Sequence, residues 1–162
     1  MYQRILVPVD GSPTSNAGLA EAVKLAKVMG ARVQLLHAVD ELPLLMGADG
    51  FGAMSADVMR IMTQSGERIL AQGSAVAEAA GVDVNTVLLD TLSGRLDELV
   101  VKQAKEWKAD LIVLGTHGRR GVQHLMIGSD AERVLHRSPV PVLLVRGPAN
   151  APRRGDSAAA KS

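Results

Sequence analysis

Five short runs of β-branched and Leu-rich residues recur along the chain, at Arg4–Val9, Arg32–Ala38, Asp83–Leu89, Asp110–Leu114 and Val142–Arg146, with room for a helix between each pair. None shows the strict apolar/polar alternation of a sheet with one wet face. Each is nearly continuous in apolar side chains, the pattern of strands covered on both faces. Between them, Leu19, Ala22, Val23, Ala26 and Met29 mark one helical stripe, followed by Gly30 where a left-handed cap fits. From about Ser55 to Ala80, the residues Val58, Ile61, Met62, Ile69 and Val76 fall near helical spacing, and Gly81 ends the stretch. Gly66 and Gly73 within it each weaken a helix by about 1 kcal/mol relative to alanine. Leu96, Leu99, Val100, Ala104 and Trp107 form a third stripe, and Ala131, Val134 and Leu135 a fourth, stopped by Ser138-Pro139. Strand–helix alternation through five strands predicts an α/β fold, an open parallel sheet with helices on both faces. Right-handed crossovers leave only a few doubly wound strand orders. Ligands in such sheets sit beyond the carboxyl ends of strands, where the winding direction reverses. With the first and fourth strands as neighbours, Asp10–Ser15 and Gly115–Gly121 would face one crevice.

Composition narrows the range of functions. The 162 residues make one domain. There is no cysteine, which excludes disulfides, thiolate metal sites and cysteine nucleophiles. Aromatic residues are 2% of the chain, too few for base-stacking platforms. The net charge is +1, but residues 146–162 hold four basic side chains against one acidic, so the body is slightly acidic. Such a body has no electrostatic footprint for nucleic acid or an anionic membrane. No apolar run approaches the roughly 20 residues that span a bilayer. The opening Met-Tyr-Gln-Arg leads straight into a strand pattern and not a signal peptide, so a cytoplasmic protein is expected. The segment Glu41–Met54, with Pro43, Gly47, Gly50 and Gly52, is predicted to be a flap over the crevice. Residues 147–162, rich in Pro, Gly, Ala and Ser, are predicted to be a disordered tail behind a domain of residues 1–146.

The most informative stretch follows the fourth strand. Gly115, Gly118 and Gly121 stand three apart, and Gly128-Ser129 opens the next helix. Glycines there let main-chain N–H groups approach an anion with no Cβ in the way. The helix start adds free N–H groups, the positive end of a dipole and a hydroxyl. Together they can hold a phosphate chain, with Arg119 and Arg120 able to add charge. The lysine motif G-x-x-x-x-G-K-S/T is absent, and so is the dinucleotide fingerprint G-x-G-x-x-G. On these residues alone, a tight strand-to-helix loop is an equal reading.

At this point the sequence resembles the ATP-binding kind of universal stress protein, whose signature is G-x2-G-x9-G-S/T. The chain reads Gly115-Thr116-His117-Gly118, nine residues, then Gly128-Ser129. The resemblance extends over residues 1–146, through Ile5-Leu-Val-Pro-Val-Asp10-Gly-Ser12, Leu35-Leu-His37-Ala38-Val39 and Ser138-Pro-Val-Pro-Val-Leu-Leu-Val145. It implies a Rossmann-like sheet of order 3-2-1-4-5, of the adenine nucleotide alpha hydrolase-like type, with ATP or AMP between the first and fourth strands. Backbone at Pro8, Val9 and Ala38 would contact adenine. Asp10 and Gly115 would lie against ribose. Gly118, Arg119, Gly121, Gly128, Ser129 and the backbone of Asp130 would surround the phosphates, with Thr116, His117, Arg120 and Ala131 completing the nucleotide-binding set. Mg²⁺ would be held through the phosphates and Asp10, with no metal site made by protein alone. Asp130 departs from the small or β-branched neutral residue common in relatives. A carboxylate beside a polyphosphate repels it unless a cation or hydrogen bond compensates. It either weakens ATP relative to AMP or recruits Mg²⁺.

Other residues carry plainer readings. Asp10 shapes the turn into the first helix, takes a ribose or metal role, or does both. His37, ending a buried run, is expected to be a hydrogen-bonded structural histidine. His117 points at phosphates or solvent, while His124 and His136 are expected on exposed surface. Asp97-Glu98 stand in a first helical turn, where the dipole favours them without any catalytic role. Met46, Met54, Met59 and Met62 read as adaptable core. No Ser/His/Asp triad and no G-x-S-x-G are present. The last strand, Val140–Val145, is an apolar edge that pairs readily with another chain, and the resemblance implies an antiparallel homodimer through it. The leading expectation is a stress-response protein that binds an adenine nucleotide and senses it as a homodimer. It would be no efficient catalyst, because no lysine reaches the outer phosphates and no base is evident. The alternatives are a slow Mg-dependent ATPase or phosphotransferase, and a dimeric scaffold without nucleotide.

Overall fold

The computed structural model describes residues 1–39, 56–90, 94–116 and 128–147. The expected flap Glu41–Met54, residues 117–127 and the tail beyond Gly147 lie outside them. Five strands, β1 (Arg4–Pro8), β2 (Arg32–Val39), β3 (Val84–Asp90), β4 (Leu111–Gly115) and β5 (Val142–Val145), form one sheet of order β3-β2-β1-β4-β5. Every neighbouring pair is parallel, with Ile5 of β1 facing Val33 of β2 on one side and Leu111 of β4 on the other. This is the order implied by the resemblance, and the winding reverses between β1 and β4.

The helices are α1 (Pro13–Met29), α2 (Ala56–Ala79), α3 (Leu96–Glu106) and α4 (Ser129–Arg137). Alternation along each strand divides the core in two. Ile5, Val7, Val33, Leu35, Leu111 and Val113 pack with Leu19, Ala22, Ala26, Leu70 and Ala77 of α1 and α2. Leu6, Leu36, Ile112 and Leu114 pack with Val100 and Ala104 of α3 and Val134 of α4. Central strands therefore have no wet face, which accounts for their unbroken apolar runs. β3 and β5 differ. Asn85 and Thr86 are exposed and all four residues of β5 are half-buried, because helix cover thins at the two sheet edges.

Local chemistry sets the ends of these elements. Ser12 caps α1 by accepting from the Ser15 N–H at 3.1 Å, with Pro13 in the first turn. Gly30 (φ +66°) closes α1 in the left-handed region that its sequence position predicts. At the amino edge of the sheet, the Asp110 carboxylate accepts from the N–H groups of Gln3 at 2.8 Å and Arg4 at 3.0 Å, which locks β4 to β1 in register.

Gly66 and Gly73 turn out to be close-approach positions. A Cβ on Gly66 would lie 2.8 Å from His37 Cδ2 and 2.7 Å from Leu88 Cδ1, and one on Gly73 would lie 2.7 Å from Leu35 Cδ1. The helix gives up some intrinsic propensity so that α2 can rest on β2 and β3. Alanine at Gly66 would recover about 1 kcal/mol of propensity but press on an imidazole held by its own hydrogen bond, an overpacking cost of about 1–3 kcal/mol. Gly66→Ala is therefore expected to lower the urea midpoint; a raised midpoint would show that α2 lifts off the sheet freely.

Candidate functional site

The carboxyl ends of β1 and β4 are built first by hydrogen bonds from neighbouring strands. The Val9 N–H donates to the Leu36 carbonyl at 2.8 Å, which carries the β1–β2 pairing one residue past Pro8. The Val9 carbonyl accepts from His37 Nδ1 at 2.7 Å, so that nitrogen carries a proton. His37 is buried and structural, as expected, and it fixes the backbone expected to meet adenine. Ala38 follows on β2, half-buried, beside Leu89 of β3.

Asp10 and Gly11 then turn the chain into α1. The Asp10 carboxylate accepts from the Ser12 N–H at 2.9 Å, its own N–H donates to Ser15 Oγ at 3.2 Å, and Gly11 takes φ +76°. This is the turn-shaping role foreseen for Asp10, while the helix cap proper is Ser12. Ser15 joins the two loops. Its Oγ serves Asp10, and its main-chain N would lie 2.9 Å from a Cβ placed on Gly115. That same Cβ would stand 2.5 Å from the Thr14 carbonyl oxygen, and one on Gly18 would stand 3.2 Å from the Gly115 nitrogen. The end of β4 and the first turns of α1 thus meet main chain to main chain, which glycine allows and no other residue does. Gly115 is a packing glycine first.

The far half of the glycine signature comes back to the same place. The Thr116 N–H donates to Val145 and its carbonyl accepts from the Gly128 N–H, at 3.0 and 2.8 Å. Eleven residues separate Thr116 from Gly128 in the chain. Gly128, at the N-cap of α4, offers no side-chain cap, and the N–H groups of a first turn have no acceptor inside their own helix. Ser129 and Asp130 are exposed there, with Ala131 half-buried. Asp130 forms an ion pair with Arg133 one turn on, at 3.0 Å. The pair is half in water and weak, a cation from the same helix beside the carboxylate.

Among the predicted site residues, Pro8, Val9 and Asp10 end β1, Gly115 and Thr116 end β4, and Gly128, Ser129, Asp130 and Ala131 begin α4, which Gly128 ties to Thr116; Ala38 stands on the neighbouring strand. His117, Gly118, Arg119, Arg120 and Gly121 lie outside the described residues, as does His124. His136 is exposed, as expected. Among the described residues, no group of three or more His, Cys, Asp or Glu could hold a metal ion, and no helix is long and apolar enough to cross a membrane.

One feature beside the site was missed. Asp97, read as a helix-dipole residue, has a side chain 0% exposed. Arg137 Nη1 donates to it at 2.7 Å, from the end of α4, and Arg95 Nη2 lies 3.0 Å away. Arg137 also reaches Glu98 at 3.2 Å. Burial works to raise the Asp97 pKa, but hydrogen bonds and charge from Arg137 and Arg95 outweigh it and hold the carboxyl below its ordinary value. In return Asp97 and Glu98 raise that of Arg137. A signal existed: Asp97 stands three residues before Val100 and seven before Ala104, on the buried stripe of α3.

The universal stress protein family model matches residues 1–146. The chain is 32% identical over 149 residues to universal stress protein MJ0531 of Methanocaldococcus jannaschii, across 91% of this chain and 84% of that one. Among solved structures it matches that of the M. jannaschii protein MJ0577 with a TM-score of 0.76 at 27% identity, covering 90% and 96% of the two chains. A universal stress protein solved in complex with cAMP matches with a TM-score of 0.66 at 27% identity, over 89% and 97%. Sheet order, the paired halves of the glycine signature and a match that runs from the first residue to the end of the last strand agree, and the chain belongs to the universal stress protein family.

Proposed function

We propose that this protein binds an adenine nucleotide in the crevice between β1 and β4 and acts as a nucleotide-sensing module in a stress response. The observation that carries this reading is the 2.8 Å hydrogen bond from Gly128 to Thr116, which draws an α4 start without a side-chain cap to the carboxyl end of β4. A helix N-terminus in that place favours phosphate through its N–H groups and its dipole. The solved relative in complex with cAMP supports the ligand class. Adenine would rest on backbone at Pro8, Val9 and Ala38, and ribose on Asp10 and Gly115. Phosphates would meet Gly128, Ser129 and the Asp130 and Ala131 amides, together with Gly118, Arg119, Arg120 and Gly121 of the glycine loop. Arg133, paired with Asp130, would offset part of the repulsion between that carboxylate and a phosphate chain. Mg²⁺ would supply charge neutralisation on the phosphates.

Denaturing the purified protein should release AMP or ATP, and calorimetry with ATP and AMP, with and without magnesium, should register binding. No heat with any purine nucleotide sinks the reading. ATP turnover near the ~1–100 s⁻¹ of kinases would make the protein an enzyme instead.

The half-buried edge strand β5 fits a homodimer through Val140–Val145. Sedimentation is expected to give particles of twice the 17.0 kDa chain mass at micromolar concentration; 17.0 kDa particles alone would defeat the dimer.

A further inference from the structure

We infer that the buried Asp97–Arg137 pair is a positioning device for the phosphate end of the site, acting through α4. This rests on the nucleotide reading above. α4 has nine residues, and only Val134 among them is buried. So small an apolar anchor holds a helix loosely, and polar contacts at its two ends have to orient it. At the start, the Gly128 N–H is bonded to the Thr116 carbonyl. At the finish, Arg137 is bonded to Asp97 and Glu98 in the first turn of α3. The Ser138 hydroxyl, donating to the Val140 carbonyl at 2.6 Å, shapes the turn into β5 but does not join α4 to α3.

The two charged contacts differ in what they can do. Glu98 is half in water, so its hold on Arg137 is weak and screened. Asp97 has no exposed surface while both arginines are in place, so its carboxylate leans on them far more than Glu98 does. Arg95 occupies one of its oxygens and Arg137 the other. The second oxygen therefore sets where the end of α4 must lie. Without it, α4 is held by Val134, by Ala131 against the same apolar cluster and by the Gly128–Thr116 bond, and can tilt about Val134. The first turn begins about 7.5 Å from that pivot, so a tilt of about 10° moves its leading amides by about 1.3 Å. That is enough to spoil hydrogen bonds whose useful range is only about 0.5 Å wide. The proposed adenine and ribose contacts at Pro8, Val9, Asp10, Ala38 and Gly115 lie outside α4 and would stay in place. Asp97 and Arg137 are thus positioning residues that touch no ligand.

The test compares wild type with Asp97→Asn, Arg137→Met and Arg137→Lys. Arg137→Met leaves Arg95 on the buried carboxylate, so this variant remains folded. Calorimetry reads affinity for ATP and for adenosine, which has the base and sugar but no phosphate. Amide hydrogen exchange on the nucleotide-free protein reads Glu132–Val134 of α4 against Ile5–Val7 of β1. Asp97→Asn and Arg137→Met are expected to weaken ATP about tenfold and adenosine less than about twofold. They should also speed exchange in α4 about tenfold while leaving β1 unchanged. Arg137→Lys should recover part of both effects. Equal losses for the two ligands, or unchanged ATP affinity, would overturn the inference. Wild type that takes up neither ligand would overturn the nucleotide reading, and exchange alone would then decide: unchanged α4 protection in both variants defeats the positioning role, and selective loss upholds it.

Discussion

Gly115→Ala will destabilise the protein by about 3 kcal/mol, near the upper end of overpacking costs, and will weaken nucleotide binding beyond what that loss explains. The new Cβ would lie 2.5 Å from the Thr14 oxygen, 2.6 Å from the Thr14 carbonyl carbon and 2.9 Å from the Ser15 nitrogen. All three are main-chain atoms. No rotamer change relieves the overlap, so the first turn of α1 has to shift, and the Asp10–Ser15 hydrogen bond shifts with it. A comparison makes the result sharp. Gly30 has φ +66° and nothing within 4 Å of where a Cβ would stand. Alanine there meets only the left-handed backbone penalty of about 1–2 kcal/mol. If urea unfolding shows Gly115→Ala costing no more than Gly30→Ala, then α1 does not press on the end of β4.

The second large effect concerns Asp97. Asp97→Asn is expected to lose about 2 kcal/mol, the scale of a buried hydrogen bond to a charged group, because an amide keeps the shape but only part of the attraction. Removing both arginines, by Arg95→Ala with Arg137→Ala, is expected to cost more, although each is half in water. The reason is asymmetry. Arginines released from Asp97 rehydrate, whereas Asp97 stripped of both is a buried charge with its main partners gone. Adding Asp97→Asn to the double variant should therefore restore stability. A triple variant weaker than the double one would show that Asp97 has water to turn to.

The same carboxylate predicts a pH dependence. The folded chain binds the Asp97 proton less tightly than the unfolded chain does, so acid favours unfolding. The stabilisation is complete above the ordinary aspartate pKa of about 3.9. It fades as pH falls from there through the lower folded value. Chemical unfolding across that acid range should show a loss in wild type that Asp97→Asn lacks; parallel curves would mean the pair does not stabilise the fold.

Much of the architecture could be read from apolar periodicity. The five strand runs agree with the observed strands to within a residue at each end, and Gly30 caps α1 as its position suggests. Runs of apolar residues report burial on both faces, and burial is what places a strand inside a parallel sheet. The glycine spacing also brackets a contact that forms, since the Gly128 N–H bonds to Thr116, the residue after Gly115. Three features escaped the same reading. Gly66 and Gly73 count against a helix in any propensity scale, yet they are where α2 rests on the sheet. Asp97 belongs to the buried stripe of α3 by spacing, yet a charged residue is discounted there until its partner is known, and Arg137 is forty residues away. The Asp130–Arg133 pair was not foreseen, because it depends on where the start of α4 falls.

The sequence by itself determined the element order, the parallel sheet and the loops that carry the glycines. These follow from local patterns of burial and from backbone freedom, which are properties of a few neighbouring residues. The tertiary structure alone decided which glycines are required for close approach, and which charge is enclosed. It also decided that the start of α4 returns to the end of β4. Such outcomes depend on atoms brought together from distant parts of the chain, and no window of sequence contains both sides of the contact.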